Sequence, residues 1–308
     1  MKLSNPVKDF TWDKGISASE LLDRLGSVGY QASELKKAAD IIIKMKKRKA
    51  KIFLSFTSNM ASSGLRGLFA QMIAKGFVNV VVTTVGSIEE DFIKAHKGKF
   101  FIGSFEEDDK KLGEENINRI GNILVPSKDY EEFERILKAA LKEIIKPGSA
   151  ITPSELIRGL GKYCEGDENS ILWQAYKHNV PIYCPAITDG SFGFQLQELR
   201  NKMDFQIDIV KDMKNIAFEA SPKEEIGLIV LGGGVAKHHA ILANLTNGGA
   251  DYAVYITTAM PYSGSLSGAT TEEAKSWGKV KASSDAITVH GEVSILLPLA
   301  MCYAFERC

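Results

Sequence analysis

The segment 270–279, TTEEAKSWGK, carries the residue types that covalent amine chemistry needs. Lys279 follows Trp277 and Gly278. Buried against the indole, its charged form would be disfavoured, its pKa would fall, and the amine could form an imine. Each residue also has an ordinary reading. Thr270-x-x-Glu273 is a capping box, Trp277 suits a core or an interface, and a lysine near a helix end favours the dipole. Spacing alone leaves both readings open.

LGGGVAKHH, residues 231–239, is a second candidate. Gly232, Gly233 and Gly234 follow a strand-like run and precede a helix-like one. The pattern is neither G-x-G-x-x-G nor a Walker A loop, so it marks a bend or a close backbone approach, with phosphate binding as one use. His238 at such a rim could be a general base, although a helix-surface histidine is the simpler reading. His238 and His239 point about 100° apart on a helix, so they cannot share one metal ion. His96, His178, His238, His239 and His290 contain no H-x-x-x-H pair, and no metal site is expected. Glu89, Glu90 and Asp91 follow another strand-like run. Partners of a helix dipole is the simpler reading for them; holders of a cationic substrate is the other.

Five apolar runs position these candidates: IFLSF after residue 51, VNVVVTT, PIYCPA, IGLIVL and DYAVYI. Each ends in small or hydroxyl residues, and helix-like segments separate them. Such alternation predicts an α/β fold with a mainly parallel sheet and helices on both faces. Ligands then sit beyond the carboxyl ends of the strands, where backbone N–H groups and helix N-termini suit a dinucleotide. Residues 17–25 and 33–47 have helical spacing, so residues 1–50 read as a helical N-terminal extension and 51–308 as one catalytic domain. Residues 99–128 look irregular. Residues 129–146 form an amphipathic helix, and Thr152-Pro153-Ser154-Glu155 opens another.

The 308 residues hold 38 Lys+Arg and 38 Asp+Glu, so the net charge is zero and no basic footprint for nucleic acid exists. Cys164, Cys184, Cys302 and Cys308 form no C-x-x-C pair, which disfavours zinc or thioredoxin-type chemistry. The start lacks the apolar region of a signal peptide, and the longest uncharged apolar stretch, 293–305, is too short to span a bilayer. A cytoplasmic protein with reduced thiols is the expectation.

Taken together, TSNMASSG (57–64), VTTVGSIEEDFIK (82–94), NRIGN (118–122), PAITDGSFG (185–193), LGGGVAKHH (231–239), NGGADYAVYITTA (247–259) and SGATTEEAKSWGK (267–279) resemble the deoxyhypusine synthase family, in its archaeal form. The likeness runs from about residue 55 to 305. It implies a Rossmann-like doubly wound fold, a homotetramer and active sites at subunit interfaces. It also implies NAD-dependent transfer of an aminobutyl group from spermidine or a related amine to a lysine of the translation initiation factor 5A precursor. By resemblance Lys279 is the imine-forming nucleophile and His238 the proton-transfer residue. Glu89, Glu90, Gly264, Ser265, Glu273 and Trp277 would line the amine site. Ser58, Asn59, Ser62, Thr84, Gly86, Glu90, Asp189, Gly233, Thr258, Ala259 and Glu292 would line the NAD site.

Three departures from the eukaryotic pattern stand out. Phe194 and Leu266 replace acids, and Glu292 replaces an aspartate. Two amine-holding carboxylates are therefore missing, which leaves spermidine, agmatine and other diamine derivatives open as donors. A small-molecule polyamine synthase of the homospermidine type, with the same imine chemistry, is the alternative activity. An NAD-binding paralogue without turnover is the non-enzymatic one, and the presence of Lys279 and His238 counts against it.

Overall fold

The computed structural model describes residues 5–308. In chain order the main elements are α1 (Ala18–Leu25), α2 (Gln31–Lys47), β1 (Lys51–Phe56), α3 (Arg66–Ala74), β2 (Val80–Thr83), α4 (Val85–Ala95), β3 (Phe101–Ile102), β4 (Ile117–Ile120) and β5 (Ile123–Pro126). There follow α5 (Ser127–Ile144), α6 (Pro153–Gly161), β6 (Ile182–Tyr183), α7 (Ser191–Arg200), β7 (Ile226–Leu231), α8 (Gly234–Ala243), β8 (Ala250–Thr257), α9 (Thr271–Ser276), β9 (Val280–His290) and α10 (Val293–Arg307). Two compact units divide the chain: 1–56 with 217–308, and 57–216.

In the first unit four parallel strands run in the order β9-β8-β7-β1. Lys51 of β1 pairs with Ile226 of β7, and Tyr252 of β8 pairs with Gly227 of β7 and Asp285 of β9. Every residue of β7 is buried. That is the mark of a parallel strand covered on both faces, and it explains a continuous apolar run without alternation. α2 packs on this sheet through its buried stripe of Leu35, Ala38, Ala39, Ile42, Ile43 and Met45. Helices α1, α2 and α10 pack together, so the N-terminal helices lie against the C-terminal one. The capping box of Ser17 and Glu20 fixes where α1 starts.

The second unit holds the parallel pair β2–β6 and a three-stranded antiparallel sheet, β3-β5-β4. Thr152 and Glu155 form the expected capping box, with Pro153 at the start of α6. The α/β class expected from the alternating runs holds, with parallel strands flanked by helices.

Three local expectations need correction. Residues 99–128 are not irregular throughout: they build the antiparallel sheet from strands of two to four residues, too short to show a period of two. β9 was not anticipated, because Lys281, Ser283, Ser284 and Asp285 break its apolar pattern; it is an edge strand and tolerates exposed polar residues. Finally, α4 begins at Val85, so Glu89, Glu90 and Asp91 lie beyond its first turn and are buried. They are not the solvated dipole partners of the simpler reading.

Candidate active site

Lys279 sits where α9 gives way to β9. Trp277 ends the helix and Gly278 turns the chain at φ 68°, a conformation that favours glycine. Lys279 N then donates to Ala274 O (3.1 Å), while Lys279 O accepts from Ala250 N (3.1 Å). The backbone beneath the amine is thus tied to both the helix and strand β8. A side chain at Gly249 would collide with Gly278 O at 2.5 Å, so this close approach needs glycine.

The Lys279 side chain is 8% exposed, and its Nζ lies 5.4 Å from the centre of the Trp277 ring. Trp277 itself is 67% exposed, which removes the core reading for it within this chain. The cavity here is about 320 Å³ and is lined among others by Lys237, His238, Tyr255, Leu266, Glu273 and Lys279. Gly264 also lines it, at φ 68°, whereas the Ser265 hydroxyl accepts from Ser267 N within its own turn.

Glu273 lacks the structural role its spacing suggests. Thr270 Oγ1 accepts from Glu273 N (3.2 Å), but no return bond from the Glu273 carboxylate closes the box. The carboxylate is exposed at the cavity. His238 is also on the exposed side of α8, and burial, then the nearby Lys279 charge, lower its pKa. A neutral imidazole beside an amine is a competent proton acceptor.

Two residues here escaped the sequence reading. Lys237 is 1% exposed; its Nζ donates to Ser267 O (3.2 Å) and Ala269 O (2.7 Å) and lies 4.7 Å from the centre of the Tyr255 ring. Burial brings its pKa down to about 8. The Tyr255 hydroxyl is buried and has no hydrogen-bond partner among the described residues. The only available signal for Lys237 was its spacing from Ala240 and Ile241 on one helix face, which puts a lysine among core positions.

In the second unit the three acids of α4 have separate fates. Asp91 pairs with the Arg66 guanidinium and accepts from Ser170 Oγ (2.8 Å), Ile171 N (3.1 Å) and Leu172 N (2.7 Å). That is a structural post. Glu89 accepts from Phe192 N (2.6 Å) and so serves the first turn of α7; burial raises its pKa. Glu90 accepts from Ser62 Oγ (2.6 Å), and burial pushes its pKa up to about 7, against the pull of that hydrogen bond and of the Lys94 charge. Lys94 is pinned by Ala61 O (2.8 Å) and Ser62 O (3.0 Å).

Of the residues implied for cofactor binding, Ser58, Ser62, Thr84 and Gly86 come together. Ser58 N donates to Thr84 Oγ1 (3.1 Å), and a Cβ at Gly86 would meet Ser58 Cβ at 2.9 Å. Asn59, next to Ser58, is exposed and joined to Thr57, and Asp189 is exposed in the loop that follows β6. In the first unit Gly233 leaves no room for a Cβ, since Ser267 would be 2.4 Å away, and Gly234 N donates to Ser267 Oγ (3.0 Å). Thr258 and Ala259 follow the end of β8, with Ala259 N bonded to Thr257 Oγ1 (3.0 Å). Glu292 begins α10 and accepts from the Ser294 hydroxyl. Phe194 is 73% exposed on α7.

Helices α4 and α10 each follow a parallel strand and have no side-chain bond at the N-cap, whereas the first N–H of α8, Gly234 N, is taken by Ser267 Oγ. Uncapped N-termini at strand ends offer N–H groups to phosphates, which fits a dinucleotide. Among the described residues no group of His, Cys, Asp and Glu could hold a metal ion, and no helix is long and apolar enough to cross a membrane.

The family profile described as deoxyhypusine synthase matches residues 20–304. The chain belongs to the deoxyhypusine synthase family. A "probable deoxyhypusine synthase" of Thermococcus kodakarensis is 42% identical over 311 residues, covering 96% of this chain and 92% of the relative. One from Schizosaccharomyces pombe is 40% identical and covers 95% and 88%. The crystal structure of an Entamoeba histolytica protein classed with deoxyhypusine synthase superposes with a TM-score of 0.71 at 30% identity, covering 97% of each chain. Membership in the deoxyhypusine synthase family makes the chain an enzyme of the transferase type with a part in forming hypusine.

Proposed function

We propose that the protein uses NAD to transfer an aminobutyl group from a polyamine, through an imine on Lys279, to a lysine of the translation initiation factor 5A precursor. The observation that carries this reading is Lys279 itself. It is a buried amine with a doubly tied backbone, in a cavity that also holds an indole, an imidazole and one carboxylate.

In the second unit Ser58, Ser62, Thr84, Gly86 and the uncapped start of α4 would hold the cofactor; Asn59, Glu90, Asp189, Gly233, Thr258, Ala259 and Glu292 are assigned to cofactor binding by resemblance alone. When bound, NAD supplies a hydride acceptor for the carbon beside the donor's amine and returns that hydride at the end. Glu273 and the face of Trp277 hold the donor's ammonium by charge and cation–π attraction. His238 takes the proton that Lys279 loses as its nitrogen bonds carbon, and gives one to the departing amine. The incoming lysine displaces Lys279 by the reverse exchange, which restores the enzyme's amine. Glu89 and Glu90 supply negative charge in the second unit. A small amine as acceptor, with the same imine chemistry, is the second reading.

Intact mass spectrometry tests this. The protein is incubated with NAD and labelled spermidine or putrescine, with and without the factor 5A precursor. Label on the factor supports the proposal, and a free larger polyamine supports the small-molecule reading. Lys279→Ala should lower transfer by about a thousandfold or more while NAD still binds. Full activity in that variant would remove Lys279 from the chemistry.

A further inference from the structure

Resting on the NAD-dependent reading above, we infer that Tyr30 is the platform on which the adenine ring of the cofactor stacks, at the carboxyl end of β9. Tyr30 stands at the start of α2 with φ 60° and ψ −140°. Glycine takes that conformation readily and a bulky residue does not. The chain places glycine at 29 and tyrosine at 30, where the backbone calls for glycine. Packing does not account for this choice, because Tyr30 is 95% exposed. Two hydrogen bonds hold the segment: Ser33 Oγ donates to Tyr30 O (3.1 Å), and Gln31 Oε1 accepts from His290 N (2.7 Å). The second ties the neighbour of Tyr30 to the last residue of β9, two positions before Glu292.

The sheet indicates what belongs there. In parallel α/β sheets a dinucleotide lies beyond the carboxyl ends of the strands, with its phosphates at a glycine turn and an acid on a ribose. Here the glycine turn follows β7, and β9 is the second strand from it. Two strand spacings are about 10 Å, comparable with the span from pyrophosphate to base in an extended nucleotide. Glu292 accepts from the Ser294 hydroxyl and keeps lone pairs for ribose hydroxyls. A carboxylate repels phosphate, so the nucleoside and not the pyrophosphate belongs at the end of β9. Its base then meets Tyr30. Ile295, 64% exposed in the first turn of α10, adds a hydrocarbon face to the same rim. A tyrosine ring and a purine attract each other when stacked.

Calorimetric titration of the full chain with NAD and with ADP-ribose, which keeps the adenosine half and lacks nicotinamide, tests this. Tyr30→Ala should weaken both about tenfold or more, the size of one base–aromatic stack. Tyr30→Phe should bind both as the natural protein does. Tyr30→Gly should lose the same affinity while its unfolding midpoint stays level or rises, because glycine relieves the backbone. ADP-ribose bound by Tyr30→Ala as tightly as by the natural protein overturns the inference. So does a failure of ADP-ribose to bind where NAD binds, or a smaller oligomer in Tyr30→Ala with NAD affinity kept, the mark of a subunit contact. Those results leave the transfer reading standing. Failure of the natural protein to bind NAD overturns both.

Discussion

The two units hold contrasting carboxylates. On α4, Asp91 is 1% exposed and gathers an arginine, a hydroxyl and two backbone N–H groups. At the Lys279 cavity Glu273 is exposed, and no hydrogen bond to its carboxylate closes its helix cap. A run of three acids looks more functional in sequence than one acid in a capping pattern. The hydrogen bonds reverse that order: a carboxylate saturated by the protein serves the fold, and one left open is available to a ligand.

Substitutions can break or sharpen this contrast. The largest effect is expected at Asp91. Asp91→Ala leaves a buried guanidinium and two N–H groups short of acceptors, and should cost about 3–5 kcal/mol in denaturant unfolding. A loss under about 1 kcal/mol would mean that Asp167, the other partner of Arg66, suffices alone.

Glu273→Gln should do the opposite, weakening diamine binding about tenfold or more while leaving the unfolding midpoint where it was. If stability falls and binding does not, Glu273 is a helix residue and the contrast fails.

Glu90 allows a test by pH. Its folded pKa, about 7, lies above the ordinary 4.5, so the folded state holds the proton more tightly. The stability this contributes is fully present below pH 4.5 and is lost as pH rises through about 7. Glu90→Gln should therefore match the natural protein in acid and exceed it by on the order of 2 kcal/mol at about pH 8. Melting curves that stay parallel across that range would show that Glu90 ionises freely.

The smallest effect on stability is expected at Trp277. Trp277→Ala should shift unfolding by only about 0.5 kcal/mol, because the indole is exposed, yet weaken ammonium binding several-fold through the lost cation–π contact. Unchanged titration curves would assign the indole to another role, such as contact with a second copy.

Much of this was legible along the chain because it is local. The capping pair Thr152 and Glu155, with Pro153 between them, lies within one turn of chain. The buried runs of β1, β7 and β8 declare parallel strands by having no polar face. The rim residues follow from those strands, since ligands gather at their carboxyl ends. β9 and the antiparallel strands were not legible, because short or edge strands need neither apolar continuity nor clean alternation.

Partner choice was decided only in three dimensions. Asp91 meets Leu172 and Glu89 meets Phe192, 81 and 103 residues away, and Lys237 reaches Ala269 across 32. No spacing rule spans such loops. Burial decides whether a carboxylate or an amine keeps its charge, and burial comes from packing. The order of residue types along the chain therefore specified the family and the lysine proposed for its chemistry. The tertiary contacts specified which charges are spent on the fold and which remain for chemistry.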